Sequence, residues 1–207
     1  MTAGCGSDSP AAPSGSREVA IASAGGAELT ATVAGSGASA VVISHGATTN
    51  RRDYFAIASK FAEGGFTAIA YDARSDHRRD DLAAAVGWAR AQGATKIALF
   101  GGSLGGCVSI VYAAELEADA LVTLSAGAGC DGRDAVEAAG ALGGIGAQFV
   151  VAADDGGFVS TTRDLAAASG TEPVIVDGGA HGNGVTDDHP EILDDLVAFV
   201  RSALDEA

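Results

Sequence analysis

Residues 97–106 read Ile97-Ala98-Leu99-Phe100-Gly101-Gly102-Ser103-Leu104-Gly105-Gly106. Four apolar residues run straight into a Gly-x-Ser-x-Gly pattern, and an apolar helical stretch, residues 104–114, runs straight out of it. The pattern alone carries little, because the chain holds 30 glycines. Its context carries more. So tight a turn between strand and helix forces the serine into a strained backbone conformation and needs small residues two before and two after it. Gly101 and Gly105 supply them. The Ser103 hydroxyl is then held at a sheet edge beside a helix N-terminus, where amide N–H groups can stabilise an oxyanion. A serine N-cap in a glycine-rich turn would also fit the letters. A phosphate-binding turn is disfavoured, since no lysine follows in the Walker pattern.

Outward from this turn, short β-like runs alternate with helical ones. Residues 18–23 and 29–33 flank Ala24-Gly25-Gly26-Ala27 and read as a hairpin. Strands follow at 41–44, 66–71, 96–100, 121–125, 149–153 and 174–177. Helical patterns lie at 53–63, 80–92, 104–114, 134–141, 160–168 and 190–203. The central strands are unbroken apolar runs, which implies burial on both faces, as in a parallel sheet covered by helices. Right-handed crossovers then bring the strand C-termini to one edge, the edge where open α/β sheets bind ligands.

A serine hydroxyl needs a neighbouring base to attack a carbonyl. His181 follows the last strand in Gly178-Gly179-Ala180-His181-Gly182, on the same edge as Ser103. His189 belongs with the entry to the closing helix, His77 with a charged loop, and His45 with a structural role at a strand end. The base must be oriented by a carboxylate. Asp154-Asp155 follows the strand at 149–153, again at the C-terminal edge. Asp155, deeper in the loop before Gly156-Gly157, is preferred, and Asp154 stays open. The order Ser, Asp, His is the one expected for a nucleophile on this kind of turn. The oxyanion would be held by the backbone N–H of Leu104 and by one from the loop His45-Gly46-Ala47-Thr48, for which Ala47 is chosen.

Together these segments resemble the α/β-hydrolases. Val41-Val42-Ile43-Ser44-His45-Gly46 is similar to their strand ending in His-Gly, and Gly65-Phe66-Thr67-Ala68-Ile69-Ala70-Tyr71-Asp72-Ala73-Arg74 to their fourth strand and the loop after it. The elbow at Ser103, the acid loop and Gly179-Ala180-His181-Gly182 complete the set. The resemblance covers nearly everything from residue 18 onward. It implies an α/β fold with a mostly parallel central sheet of about eight strands flanked by helices. It also implies a serine hydrolase working through an acyl-enzyme, with Ser103 attacking and His181 accepting its proton, and with no metal or organic cofactor. Only residues 126–148 separate the sixth and seventh main strands, too few for the cap domain of many relatives. An open site is therefore expected, as in cap-less hydrolases resembling small esterases and dienelactone hydrolases. The latter use cysteine as nucleophile, and Ser103 departs from them there. The leading expectation is a small carboxylic ester as substrate. A thioesterase or peptidase on the same residues, and a catalytically silent envelope protein binding a ligand in the same cleft, are the alternatives.

Composition bounds the rest. At 207 residues the chain suits one domain, and its formal net charge of −15 opposes nucleic acid. The basic pairs Arg51-Arg52 and Arg78-Arg79 read as solvated loops. Residues 1–17 are rich in Gly, Ser, Pro and Ala and read as a flexible leader to a domain at 18–207. Thr2-Ala3-Gly4-Cys5 resembles a bacterial lipoprotein cleavage box, but no apolar segment precedes it. A cell-envelope lipoprotein, touching membrane only through a lipid on Cys5, and a cytoplasmic protein both stay open. Cys107 and Cys130 are read as two small buried thiols, available to pair if the chain is exported. No metal-ligand spacing is present.

Overall fold

The computed structural model describes residues 11–207, so Cys5 and the lipid-attachment reading lie outside the described residues. In chain order the elements begin with β1 (Arg17–Ala22), β2 (Glu28–Ala34), β3 (Ser39–Ser44), α1 (Phe55–Glu63), β4 (Thr67–Tyr71), α2 (Arg78–Ala91) and β5 (Lys96–Gly102). They continue with α3 (Leu104–Tyr112), β6 (Ala120–Leu124), β7 (Gly129–Cys130), β8 (Arg133–Asp134), α4 (Ala135–Gly140) and β9 (Gly146–Ala152). The chain closes with α5 (Gly157–Ser169), β10 (Val174–Val176), α6 (Gly184–Asp188) and α7 (Ile192–Glu206). Eight strands form one sheet in the order β1-β2-β4-β3-β5-β6-β9-β10. Strand β2 pairs antiparallel with both β1 and β4, and all other pairs are parallel.

The unbroken apolar strands are explained by two cores, one on each face. Along β3, Ala40 and Val42 point into one and Val41 and Ile43 into the other; along β5, Ile97 and Leu99 oppose Ala98 and Phe100. Helices α2, α3, α4 and α5 close the first core with residues such as Leu82, Val108, Ala139 and Leu165. Helices α1 and α7 close the second. Of these, α7 buries Ile192, Leu193, Leu196, Val197, Val200 and Leu204, the i, i+3/i+4 stripe that lets a helix seal a sheet face.

Between β6 and β9 lie only the short ribbon β7–β8 and the short helix α4, so no cap domain is inserted there. Asp134 caps α4 by accepting the N–H groups of Val136 and Glu137. Gly127-Ala128-Gly129-Cys130-Asp131-Gly132 also spells Gly-x-Gly-x-x-Gly, the dinucleotide-binding pattern. Here it forms the ribbon instead of opening a helix, so the phosphate cradle that gives the pattern its meaning is not built.

The structure corrects two expectations. Cys107 and Cys130 form a disulfide, not two free thiols. Cys107 lies one turn into α3, and the ribbon brings Cys130 to a Cα–Cα distance of 6.1 Å, within bonding range. The basic pairs are not simply solvated. Arg51 and Arg78 are buried, while Arg52 and Arg79 are the exposed members of their pairs. Arg51 is paired with Asp72 and Glu18 and bonds Thr32. Adjacent side chains diverge where a helical turn starts, and both pairs sit at such starts.

The disulfide closes a loop across a sequence separation of 23, which by chain entropy is worth about 3 kcal/mol. Native protein is expected to show at most the Cys5 thiol, with all three thiols appearing after reduction and unfolding. Reduction should also lower the urea midpoint, by an amount corresponding to that loss of stability. Three titratable thiols in native, unreduced protein would contradict the pairing.

Candidate active site

Strand β5 ends at Gly102 and α3 begins at Leu104, leaving Ser103 alone to make the turn. Its φ is 53° and its ψ −119°, a region costly for any residue with a side chain. The strain is held by the neighbours. The Ser103 N–H donates to the Leu124 carbonyl at 2.8 Å, and its own carbonyl accepts from Cys107 at 3.1 Å. The flanking glycines have steric reasons. A Cβ on Gly101 would lie 2.3 Å from the Gly105 carbonyl oxygen, and one on Gly102 would lie 2.1 Å from the Tyr54 hydroxyl. On Gly105 a Cβ would lie 2.2 Å from the Ser44 carbonyl oxygen and 2.6 Å from that of His45. These contacts press α3 onto the end of β3, so the Ser103 side chain must stand out from the sheet edge.

Strand β10 delivers the imidazole. The loop after it turns at Gly178, φ 89°, and at the buried Gly182, φ 59°, then enters α6, whose Val185 is anchored in the core. His181 Nε2 lies 2.8 Å from Ser103 Oγ. Its Nδ1 lies 2.9 Å from Asp155 Oδ2 and 3.1 Å from Oδ1. With the carboxylate accepting from Nδ1–H, Nε2 is left as the acceptor for the serine hydroxyl. The Asp155 side chain is only 9% exposed and that of His181 39%, so the acid is sheltered and the base open. Asp155 is placed by a tight turn after β9, in which its N–H donates to Ala152 and its carbonyl accepts from Phe158. Asp154 is exposed, donates its N–H to the Gly178 carbonyl, and makes no bond to His181.

The loop after β3 faces the serine: a Cβ on Gly46 would lie 3.5 Å from Ser103 Cβ. Among the described residues, neither the Ala47 nor the Leu104 N–H has a hydrogen-bond partner. His45, expected to be structural, is buried; its Nδ1 lies 2.7 Å from the Gly46 carbonyl and its Nε2 accepts the Ala73 N–H at 3.0 Å. Burial lowers its pKa, partly opposed by the Gly46 bond and reinforced by Arg78, so the ring is held in the neutral Nδ1–H form that both bonds need. His189 lies elsewhere, its Nε2 donating to the Asp177 carbonyl at 2.8 Å. His77 stands exposed at the start of α2, 3.8 Å from Asp80.

No protein-family model matches the sequence, and no curated protein does. Solved structures do. An esterase of Pyrococcus furiosus superposes with a TM-score of 0.79 over 91% of this chain and 91% of its own, at 15% identity. A serine hydrolase without a lid from Xanthomonas campestris gives 0.70 over 94% and 98%, at 20% identity. An enol-lactonase of Burkholderia xenovorans gives 0.73 over 89% and 100%, at 13% identity. The chain has the lidless α/β-hydrolase fold.

On this α/β-hydrolase scaffold, three features of the site went unseen in the sequence. The Phe158 ring, in the first turn of α5, lies 4.3 Å from the His181 ring, centroid to centroid. Gly182 abuts the serine: a Cβ there would lie 3.9 Å from Ser103 Cβ. Arg78 donates to the His45 carbonyl at 3.1 Å. An aromatic three residues beyond Asp155 was a readable signal for the first. The others needed coordinates, because they depend on loops folding back across the sheet edge. A groove of about 580 Å³ between α3 and α4, lined by Ile110, Val111, Arg133 and Glu137 among others, does not include the serine.

Gly105→Ala should destabilise the protein by about 2 kcal/mol or more, because backbone must move to admit the methyl group. Gly87→Ala, in the exposed interior of α2 where a Cβ meets nothing within 4 Å, should stabilise it by roughly 0.5–1 kcal/mol. Urea unfolding midpoints of the two variants should move in opposite directions from the parent protein's.

Proposed function

We propose that this protein is a serine hydrolase that cleaves carboxylic esters through an acyl-enzyme. The observation that carries the reading is the continuous chain from Ser103 Oγ to His181 Nε2, 2.8 Å, and from His181 Nδ1 to Asp155, 2.9 Å. Ser103 Oγ attacks the ester carbonyl carbon while its proton passes to His181 Nε2. Asp155 keeps the imidazole in the required tautomer and offsets the positive charge it gains. The tetrahedral oxyanion is received by the N–H groups of Ala47 and Leu104, both without other partners among the described residues. The carbon–oxygen bond to the alcohol then breaks, and His181 returns the proton to the leaving oxygen. Water, deprotonated by the same imidazole, attacks the acyl-serine and frees the acid and Ser103.

The open edge, with no cap between β6 and β9, supports small esters over substrates that must be enclosed. The esterase and the lactonase of the same fold agree with bond class, though not with a particular substrate. We further propose that the enzyme works in an oxidising compartment such as the cell envelope, with Cys5 available for a lipid anchor. The Cys107–Cys130 disulfide supports the compartment, since such bonds seldom persist in a reducing cytosol.

Hydrolysis of p-nitrophenyl acetate or butyrate is the test. Ser103→Ala should abolish it, a fall of about 10,000-fold or more in kcat. Asp155→Asn should lose on the order of 10,000-fold and Asp154→Asn less than about threefold, because only the former removes the partner of Nδ1. A Ser103→Ala variant that turns over as fast as the parent would overturn the reading.

A further inference from the structure

A buried cation without a carboxylate partner is costly to keep. Arg78 is one. It is only 5% exposed, it forms no salt bridge among the described residues, and its Nε finds no acceptor there. Its position compounds the cost, for it is the first residue of α2, where the helix dipole disfavours positive charge. Helix stability therefore does not account for it. Its neighbour Arg79, paired with Glu115 and Asp80 on the surface, shows the cheaper arrangement open to an arginine there.

Among the described residues, both side-chain hydrogen bonds of Arg78 go to the loop after β3. Nη1–H donates to the His45 carbonyl at 3.1 Å and Nη2–H to the Gly46 carbonyl at 3.4 Å. The same Gly46 oxygen accepts the His45 Nδ1–H at 2.7 Å. That carbonyl and the Ala47 N–H belong to one peptide unit. The described chain has no cis peptide, and in a trans unit the two groups point in opposite directions. Fixing the oxygen on the Arg78 side therefore fixes the direction of the N–H on the other. A cation at the carbonyl also polarises the peptide and makes its N–H a stronger donor, and burial spares that cation from screening by water.

We propose that Arg78 is a positioning residue for the oxyanion pocket: from behind the loop it locks and polarises the Gly46–Ala47 peptide so that the Ala47 N–H is aimed at the developing oxyanion. This inference rests on the serine-hydrolase reading above. The buried charge is retained because its field acts on a bond that matters only in the transition state.

The test is kinetic. Arg78→Met keeps an unbranched apolar stem and removes the charge and donors; Arg78→Lys keeps the charge and offers a single ammonium. Each is assayed with p-nitrophenyl acetate and with an aryl trifluoromethyl ketone, which accepts a serine oxygen to form an anionic hemiketal and so reports on the oxyanion pocket. Arg78→Met should lower kcat about 10- to 100-fold, somewhat less than outright loss of an oxyanion donor, with KM changed less than about threefold. Ketone affinity should fall by the same factor as kcat/KM, and Arg78→Lys should recover part of both. A folded Arg78→Met protein, judged by circular dichroism, that keeps its kcat or its ketone affinity overturns the role of Arg78. If Arg78→Met does not fold, Arg78→Lys decides: kcat and ketone affinity both equal to the parent's overturn the role, and a matched fall in the two supports it. Parent protein whose ester hydrolysis survives Ser103→Ala overturns the hydrolase reading itself, a result distinct from any of these.

Discussion

Ser103 sits in a backbone conformation that a residue with a side chain adopts only under constraint, with φ at 53°, and the architecture around it supplies that constraint. Two parallel strands, β3 and β6, flank β5. The first presses its terminal carbonyls against α3 where Gly105 has no Cβ. The second accepts the serine N–H on Leu124. Relaxing the turn would separate α3 from the sheet and break its contacts in the first of the two cores. The cost of the strained residue is thereby spread over the packing on that face of the sheet, and the fold itself fixes the direction of the hydroxyl.

The remaining parts of the site follow from the parallel topology. Strands β3, β5, β9 and β10 all end at one edge, and each contributes one component there: the Gly46–Ala47 loop, Ser103, Asp155 and His181. The pieces differ in how they are secured. Asp155 is held in a tight turn and sheltered, whereas His181 is more exposed and rests on the Phe158 ring. Behind the first loop, the neutral His45 ring and the Arg78 guanidinium both bond to the loop's backbone carbonyls. The disulfide adds a covalent tie at the same place, joining the helix that leaves Ser103 to the ribbon that occupies the cap position.

Much of this was legible in the sequence, for identifiable reasons. Strand and helix periods are local, so the eight main strands, the hairpin and six of the helices could be read to within a few residues. The strain at Ser103 also has a local signature, because only glycine fits at 101 and 105. His181 and Asp155 were legible through chain order and loop position. Boundaries shifted where glycine masks the pattern: β9 starts at Gly146, tucked against Ala203, and α5 starts at Gly157. Helix α6 was missed because five residues, Gly184–Asp188, give no period to read. The fates of Arg78 and Cys130 could not be read locally. Whether an arginine is solvated or buried, or a thiol free or bonded, depends on segments 32 and 23 residues away along the chain.

In the proposed reaction Ser103 is a nucleophile made so by His181. Its most direct test is intact-mass and peptide mapping after exposure to a fluorophosphonate, which bonds only to activated serines. A single adduct is expected, on Ser103, that disappears in His181→Ala and persists in His189→Ala. No adduct on folded protein, or one on Ser103 that forms equally fast without the imidazole at 181, would contradict it.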